Sequence, residues 1–160
     1  MPVVLHLHRA LTSNPAPQYL PGVALRHYQG PTDIEPWLRL RERAFARQPI
    51  GVGQWSTADF EREFVSKTWW SNERMWLAEA GRELIGAVAL ADRRSGEHIV
   101  PAVHWLLVDP RQRRRGVGRL LLSSLEAACW AAGHRKIWLE THAGWASALA
   151  FYQALGYRPD

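Results

Sequence analysis

Apolar residues along this chain recur at two periods, and the order in which the periods alternate outlines a fold. Val3, Leu5 and Leu7 fall at every second position, as in a short strand. Residues 12–22, "TSNPAPQYLPG", hold three prolines and a glycine and read as a loop. "GVALRHY" (22–28) reads as a strand. Over 33–45, Ile34, Trp37, Leu38, Arg41 and Phe45 fall at helical spacing, with proline in the first turn where a helix tolerates it. A loop over 47–55 separates this helix from a second one at 56–65, which Ser56 and Asp59 open in a capping-box pattern.

The second half alternates more regularly. "MWLAE" and "ELIGAVALAD", joined by "AGR", predict a hairpin over 75–92. A turn at "RRSGEH" leads to the longest strand candidate, "IVPAVHWLLV" (99–108). Strict alternation there puts Ala102, His104, Leu106 and Val108 on one face. Val117, Leu120, Leu121, Leu125 and Ala128 then lie on one face of a helix that stops near Gly133. "KIWLET" (136–141) is a further strand, and "SALAFYQAL" (147–155) is a short helix stopped at Gly156. The order predicts an α/β chain with a mixed sheet. It divides into an N-terminal extension (1–22, short strand and Pro-rich loop) and one domain over 23–160.

Composition narrows the function. The chain has 160 residues, enough to bury a core without disulfides or metals. Cys129 is the single cysteine, which fits a cytoplasmic location, and no apolar run is long enough to span a membrane. The net charge is +5, from 20 basic and 15 acidic residues. Without Arg111, Arg113, Arg114, Arg115 and Arg119 the two signs balance. So local an excess suits a compact polyanion better than the extended face of a nucleic-acid binder.

That arginine segment joins the long strand to the next helix. It lacks the lysine and hydroxyl residue of a P-loop. What remains is Arg113-x-x-Gly116-x-Gly118 at a helix N-terminus. Unpaired N–H groups, close approach at glycine and arginine side chains together favour a pyrophosphate. Here the sequence resembles the GNAT superfamily of acyl-CoA-dependent N-acyltransferases. The resemblance rests on Leu106-Leu107-Val108 followed by Arg113-x-x-Gly116-x-Gly118, and on "SALAFYQALGYRP" (147–159).

The resemblance implies a mixed, mostly antiparallel twisted sheet flanked by helices, with acetyl-CoA as co-substrate. It implies that the strand end Leu106, Leu107 and Val108 pairs with pantetheine. Backbone from Arg113 through Arg114, Arg115, Gly116, Val117 and Gly118 to Arg119 would hold the pyrophosphate. Ala148, Phe151 and Tyr152 would flank the thioester, with the Val108 amide facing its oxygen. Where the family often carries asparagine this chain has Trp145. The early end after "GYRPD" leaves the sheet to be completed by the N-terminal segment or by a partner chain, as in a homodimer.

Transfer to an amine, through a tetrahedral intermediate, needs an oxyanion donor, an acid and a base. Val108 N–H is the expected donor and Tyr152 the expected acid. His104 is the expected base, because histidine exchanges protons near neutrality, with Glu140 and His142 behind it. The acceptor is a small-molecule or peptide amine. Trp37, Trp130 and Trp138 read as core or support. Trp55, Trp69, Trp70, Trp76, Trp105 and Trp145 are candidates for an acceptor pocket. No metal site, nucleic acid or membrane is expected. A CoA-binding sensor without turnover is the alternative to an enzyme, and a nucleic-acid module the third reading.

Overall fold

A computed structural model describes residues 3–46, 48 and 52–159. Seven strands form one sheet in the order β2-β3-β4-β5-β6-β1-β7. They are β1 (Val4–Ala10), β2 (Ala24–His27), β3 (Met75–Ala80), β4 (Glu83–Ser95), β5 (His98–Val108), β6 (Lys136–His142) and β7 (Arg158–Pro159). Every pairing is antiparallel except β5 with β6. The mixed, mostly antiparallel sheet expected from the sequence is the one observed. Among the described residues no helix is long and apolar enough to cross a membrane.

Helices cover both faces. On one side lie α1 (Ile34–Phe45) and α2 (Thr57–Phe60), whose chain widens into a π-turn at Glu61–Val65. The Ser66 N–H bonds the Glu61 carbonyl at 2.9 Å to close that turn. Ser56 and Asp59 make the anticipated capping box. Trp37, Phe60 and Phe64 from this side are fully buried against Leu77, Ala87 and Leu107 of the sheet. On the other side α3 (Val117–Ala131) buries Val117, Leu121 and Leu125 against Ile85, Val88 and Val103. The last helix, α4 (Ala146–Ala154), follows β6 and buries Tyr152.

Two boundaries differ from the sequence reading. The hairpin runs past residue 92, because β4 pairs with β5 as far as Ser95↔His98 and the turn tightens onto Gly96. Of the loop at 47–55, residues 47 and 49–51 lie outside the described residues. The N-terminal segment is part of the sheet: β1 pairs with β6 from Val4↔His142 to Ala10↔Lys136, and with β7 on its other edge. Its Leu7 is fully buried, Leu5 half-buried and Val3 exposed, so the alternating residues enter the core along the strand.

The approach of α3 to the sheet depends on Gly86. A Cβ there would lie 2.8 Å from both Leu121 Cδ1 and Val117 Cγ1. Overpacking of this kind costs about 1–3 kcal/mol. Gly86→Ala is therefore expected to lower the unfolding free energy by that amount, read as a lower denaturant midpoint at unchanged m-value in equilibrium unfolding followed by circular dichroism. An unchanged midpoint would show that α3 shifts without cost.

Candidate active site

Strands β5 and β6 pair at only two positions, Ala102↔Trp138 and Val103↔Leu139, and then diverge. The cause is a bulge. The β4–β5 register shifts between Ala87 and Ala89, which oppose Leu107 and His104, so β5 carries one extra residue. Within it Trp105 has φ 51°, a left-handed conformation rare for a bulky residue. The extra residue reverses the parity of the strand. His104 and Trp105 both face the α1–α2 side, where His104 lies edge-on to Phe64 and Trp69. Leu106 and Val108 face the α3 side. The expectation that His104 shares a side-chain face with Leu106 and Val108 is thus corrected, for a reason that alternation could not contain.

The divergence opens a cleft of about 1010 Å³. Its walls are the ends of β5 and β6, the loop before α3, and the start of α4. Asp109 N–H bonds Ile85 O of β4 at 2.8 Å. Bonds to one neighbour alternate along an antiparallel strand, so the peptide groups of Val108 and Leu106 point away from β4, into the cleft. At its far end the cleft reaches the N-terminus of α3. Gly116 caps that helix at φ 89°, without a side-chain hydrogen bond to the first turn. The N–H groups of Val117, Gly118 and Arg119 have no intrahelical acceptor and carry the positive end of the helix dipole. Arg114, also left-handed at φ 64°, stands just before them.

The arginine run divides by role. Arg111 bonds Asp109, at 2.8 Å to Oδ2, and also Glu83. Arg113 donates to the Ala44 carbonyl at the end of α1, at 3.0 Å, while still bordering the cleft. Arg114 and Arg119 border the cleft; Arg115 is exposed and lies outside its lining. Leu107 is also outside it, buried on the α1–α2 side. The other expected binding residues, Leu106, Val108, Gly116, Val117, Gly118, Ala148, Phe151 and Tyr152, all line it. Gly118 has a packing role as well, since a Cβ would meet Phe151 Cζ at 3.1 Å.

Tyr152 is almost fully buried, and burial pushes its hydroxyl well above the ordinary phenol value. It therefore keeps its proton throughout the neutral range. His104 lines the same cleft, its Nε2 2.8 Å from Glu63 Oε1. Trp105 Nε1–H donates to that same oxygen at 3.3 Å. The hydrogen bond from His104, with its positive charge when protonated, holds the Glu63 carboxyl below its usual value. Glu140 and His142 also line the cleft; Glu140 pairs with Arg93 at 3.1 Å.

Of the six tryptophans offered to an acceptor pocket, Trp105 and Trp145 line the cleft. Trp76 is buried in the sheet, and Trp55, Trp69 and Trp70 pack against the α1–α2 core. Trp37 is core as expected, while Trp130 and Trp138 are half-buried, Trp130 packed against the α3-side core, with Arg135 and Lys136 over their rings. The Trp145 ring meets His142 edge-on at 4.4 Å and Phe45 at a tilt at 5.0 Å, bridging the β6–α4 loop to the end of α1. Cys129 is buried, and burial pushes its thiol up to about 12, so it is no nucleophile. Among the described residues no group of three His, Cys, Asp or Glu side chains could hold a metal.

Sequence reasoning missed Glu63 and Asp109. Glu63 was one of two glutamates in "FEREFV", and only the π-turn, which helical periodicity does not report, aims it at His104. Asp109 carried a signal, an aspartate before proline at the strand end, which marks a turn. Its side chain accepts from the Arg111 N–H at 3.0 Å and from Arg43 Nε at 3.1 Å, so it ties the loop to α1.

Residues 34–157 match the acetyltransferase (GNAT) family. A mycothiol acetyltransferase of Thermobispora bispora is 30% identical over 155 residues, covering 94% of this chain and 52% of that protein. One from Cellulomonas flavigena is 32% identical over 150 residues, covering 89% and 42%. The chain thus spans about half the length of these relatives. Among solved structures, a GCN5-related N-acetyltransferase from Sphaerobacter thermophilus superposes with a TM-score of 0.75 at 19% identity, over 100% of this chain and 50% of that one. The ribosomal-protein-S18-alanine N-acetyltransferase of Escherichia coli gives 0.63 at 22% identity, over 85% and 77%.

Asp109 generates a pH dependence. The Arg111 guanidinium, with Arg43 behind it, holds its carboxyl at about 2 against an ordinary value of 3.8. A depressed folded-state pKa contributes stability that is complete above the unfolded value and is lost as pH falls through the folded one. Stability should therefore fall between about pH 4 and pH 2, and Asp109→Asn should remove that part of the slope. Urea unfolding at several pH values checks this; parallel slopes for the two proteins would refute it.

Proposed function

The chain belongs to the acetyltransferase (GNAT) family, and from that premise we propose that it transfers an acetyl group from acetyl-CoA to the primary amine of a small-molecule acceptor. One observation carries the reading. The strand divergence leads unpaired peptide groups at Leu106 and Val108 from a helix N-terminus rich in free N–H groups to a cleft that holds both Tyr152 and His104. A pyrophosphate fits the N–H groups of residues 117–119, helped by Arg114 and Arg119. A pantetheine arm fits between β5 and β6 as an added strand would.

Each protein group then has one task. His104 takes a proton from the ammonium form of the acceptor, directly or through water, because only the neutral amine attacks. The Val108 N–H points into the cleft and donates to the oxyanion that develops as the carbon–nitrogen bond forms. Tyr152, kept protonated by burial, gives its proton to the departing thiolate. The acceptor of mycothiol acetyltransferases is the first to try, within a panel of small amines and peptide N-termini.

Thiol release from acetyl-CoA in the presence of that panel tests the reading. Absence of thiol release with every amine of the panel, together with a CoA-induced rise in melting temperature, would leave a binding protein without transfer. Tyr152→Phe is expected to lower kcat on the order of 10²-fold while keeping the CoA-induced thermal shift. Wild-type turnover in that variant would show that the ring and not the hydroxyl matters. His104→Gln should abolish the acidic limb of the pH–rate profile, and an intact limb would move the base role to Glu140 or His142.

A further inference from the structure

We infer that Glu63 is a positioning residue: held by Trp105, it fixes His104 as the Nε2–H tautomer and so leaves Nδ1 as the nitrogen that takes the acceptor's proton. The inference rests on the proposed base role of His104 and extends it to a residue from another element.

The geometry is specific. Neutral imidazole carries one proton, and whichever nitrogen bears it donates. His104 Nε2 lies 2.8 Å from Glu63 Oε1. A carboxylate only accepts, so Nε2 must hold the proton and Nδ1 must be the lone-pair nitrogen. The carboxylate stays ionised because the same contact, aided by the Trp105 indole, lowers its proton affinity. With Nε2–H held by Glu63, the Nδ1 lone pair is the position left to take the acceptor's proton.

Glu63 has little freedom to do anything else. It sits in the π-turn, an irregularity that recurs at functional sites. The next residue, Phe64, is fully buried and packs edge-on to His104 at 5.5 Å. The Trp105 indole, a donor with no acceptor capacity, bonds the very oxygen that His104 uses. Trp105 is itself immobilised, with Trp55 at 5.0 Å and the buried Arg41 guanidinium 4.9 Å from its ring. Arg41 meanwhile donates to the carbonyls of Val52 and Gly53 at 2.8 and 3.0 Å. The bulge that opens the cleft therefore also supplies the indole that aims the carboxylate.

The Trp105 bond makes an experiment discriminating. In Glu63→Gln the indole N–H retains the amide oxygen at the Oε1 position, so the Gln still accepts from Nε2–H. In Glu63→Leu nothing accepts. Long-range 1H–15N spectra of histidine-labelled free protein, above the pH at which the ring is charged, read which nitrogen of His104 carries the proton. The expected result is Nε2–H in the wild type and in Glu63→Gln, and a mixture of tautomers in Glu63→Leu. With acetyl-CoA and a working amine, Glu63→Leu should lose roughly 10- to 100-fold in kcat, the range for groups that orient a functional histidine. KM for acetyl-CoA should not change, and Glu63→Gln should recover most of the loss.

An Nδ1–H tautomer or free exchange in the wild type would overturn the inference even if Glu63→Leu did not fold, and so would wild-type turnover in Glu63→Leu. A loss in Glu63→Leu with none in His104→Gln would also overturn it, since Glu63 would then not act through His104. The spectra need no acceptor, so failure to find one affects the proposed function and leaves the tautomer assignment standing or falling alone.

Discussion

The left-handed backbone at Trp105 is the constraint on which the site depends. A bulky residue in that region costs on the order of 1–3 kcal/mol and persists only where its surroundings over-determine it. Here they do. The ring meets Trp37, Phe45 and Trp55, faces the Arg41 guanidinium, and donates to Glu63. Without the bulge β5 would continue beside β6, and the peptide groups of Leu106 and Val108 would be consumed in pairing. The aromatic wealth of the α1–α2 side thus serves to hold one strained residue in the sheet.

The net charge of the chain also has a different meaning once the loop is folded. Four closely spaced arginines look like one basic surface. Arg111 is spent on Asp109 and Glu83, and Arg113 reaches a carbonyl on α1. Two bonds draw the loop against the end of α1, Arg43 to Asp109 and Arg113 to the Ala44 carbonyl. Arg111 and Arg113 thus shape the loop, while the N-terminus of the following helix presents the N–H groups to which the proposed pyrophosphate is assigned.

The sheet edge beyond β6 is closed by β1 and β7. β7 has two residues and pairs only with β1. It is β1, from the opposite end of the sequence, that covers the free edge of β6 along its full length. Tyr157, beside β7, bonds the buried Glu126 of α3 at 2.8 Å, and Arg9 of β1 bonds the same carboxylate at 2.6 Å. Both chain ends are thereby tied to α3, whose N-terminus forms one wall of the cleft.

Much of this was legible in the sequence because it is set locally. Periodicity marked the strands and helices, Ser56 and Asp59 marked a cap, and Arg113-x-x-Gly116-x-Gly118 marked a helix start able to meet an anion. The block around Tyr152 announced its own helix. By itself the sequence determined the order of elements, the family resemblance and the position of the glycine-punctuated loop that opens α3. Only the tertiary structure decided which side of the sheet His104 faces, which arginines remain at the cleft, and that Glu63 belongs to it. Those depend on one inserted residue in β5 and one widened turn after α2. Each shifts side-chain direction by a single step, and each is stable only because residues far apart in sequence pack around it.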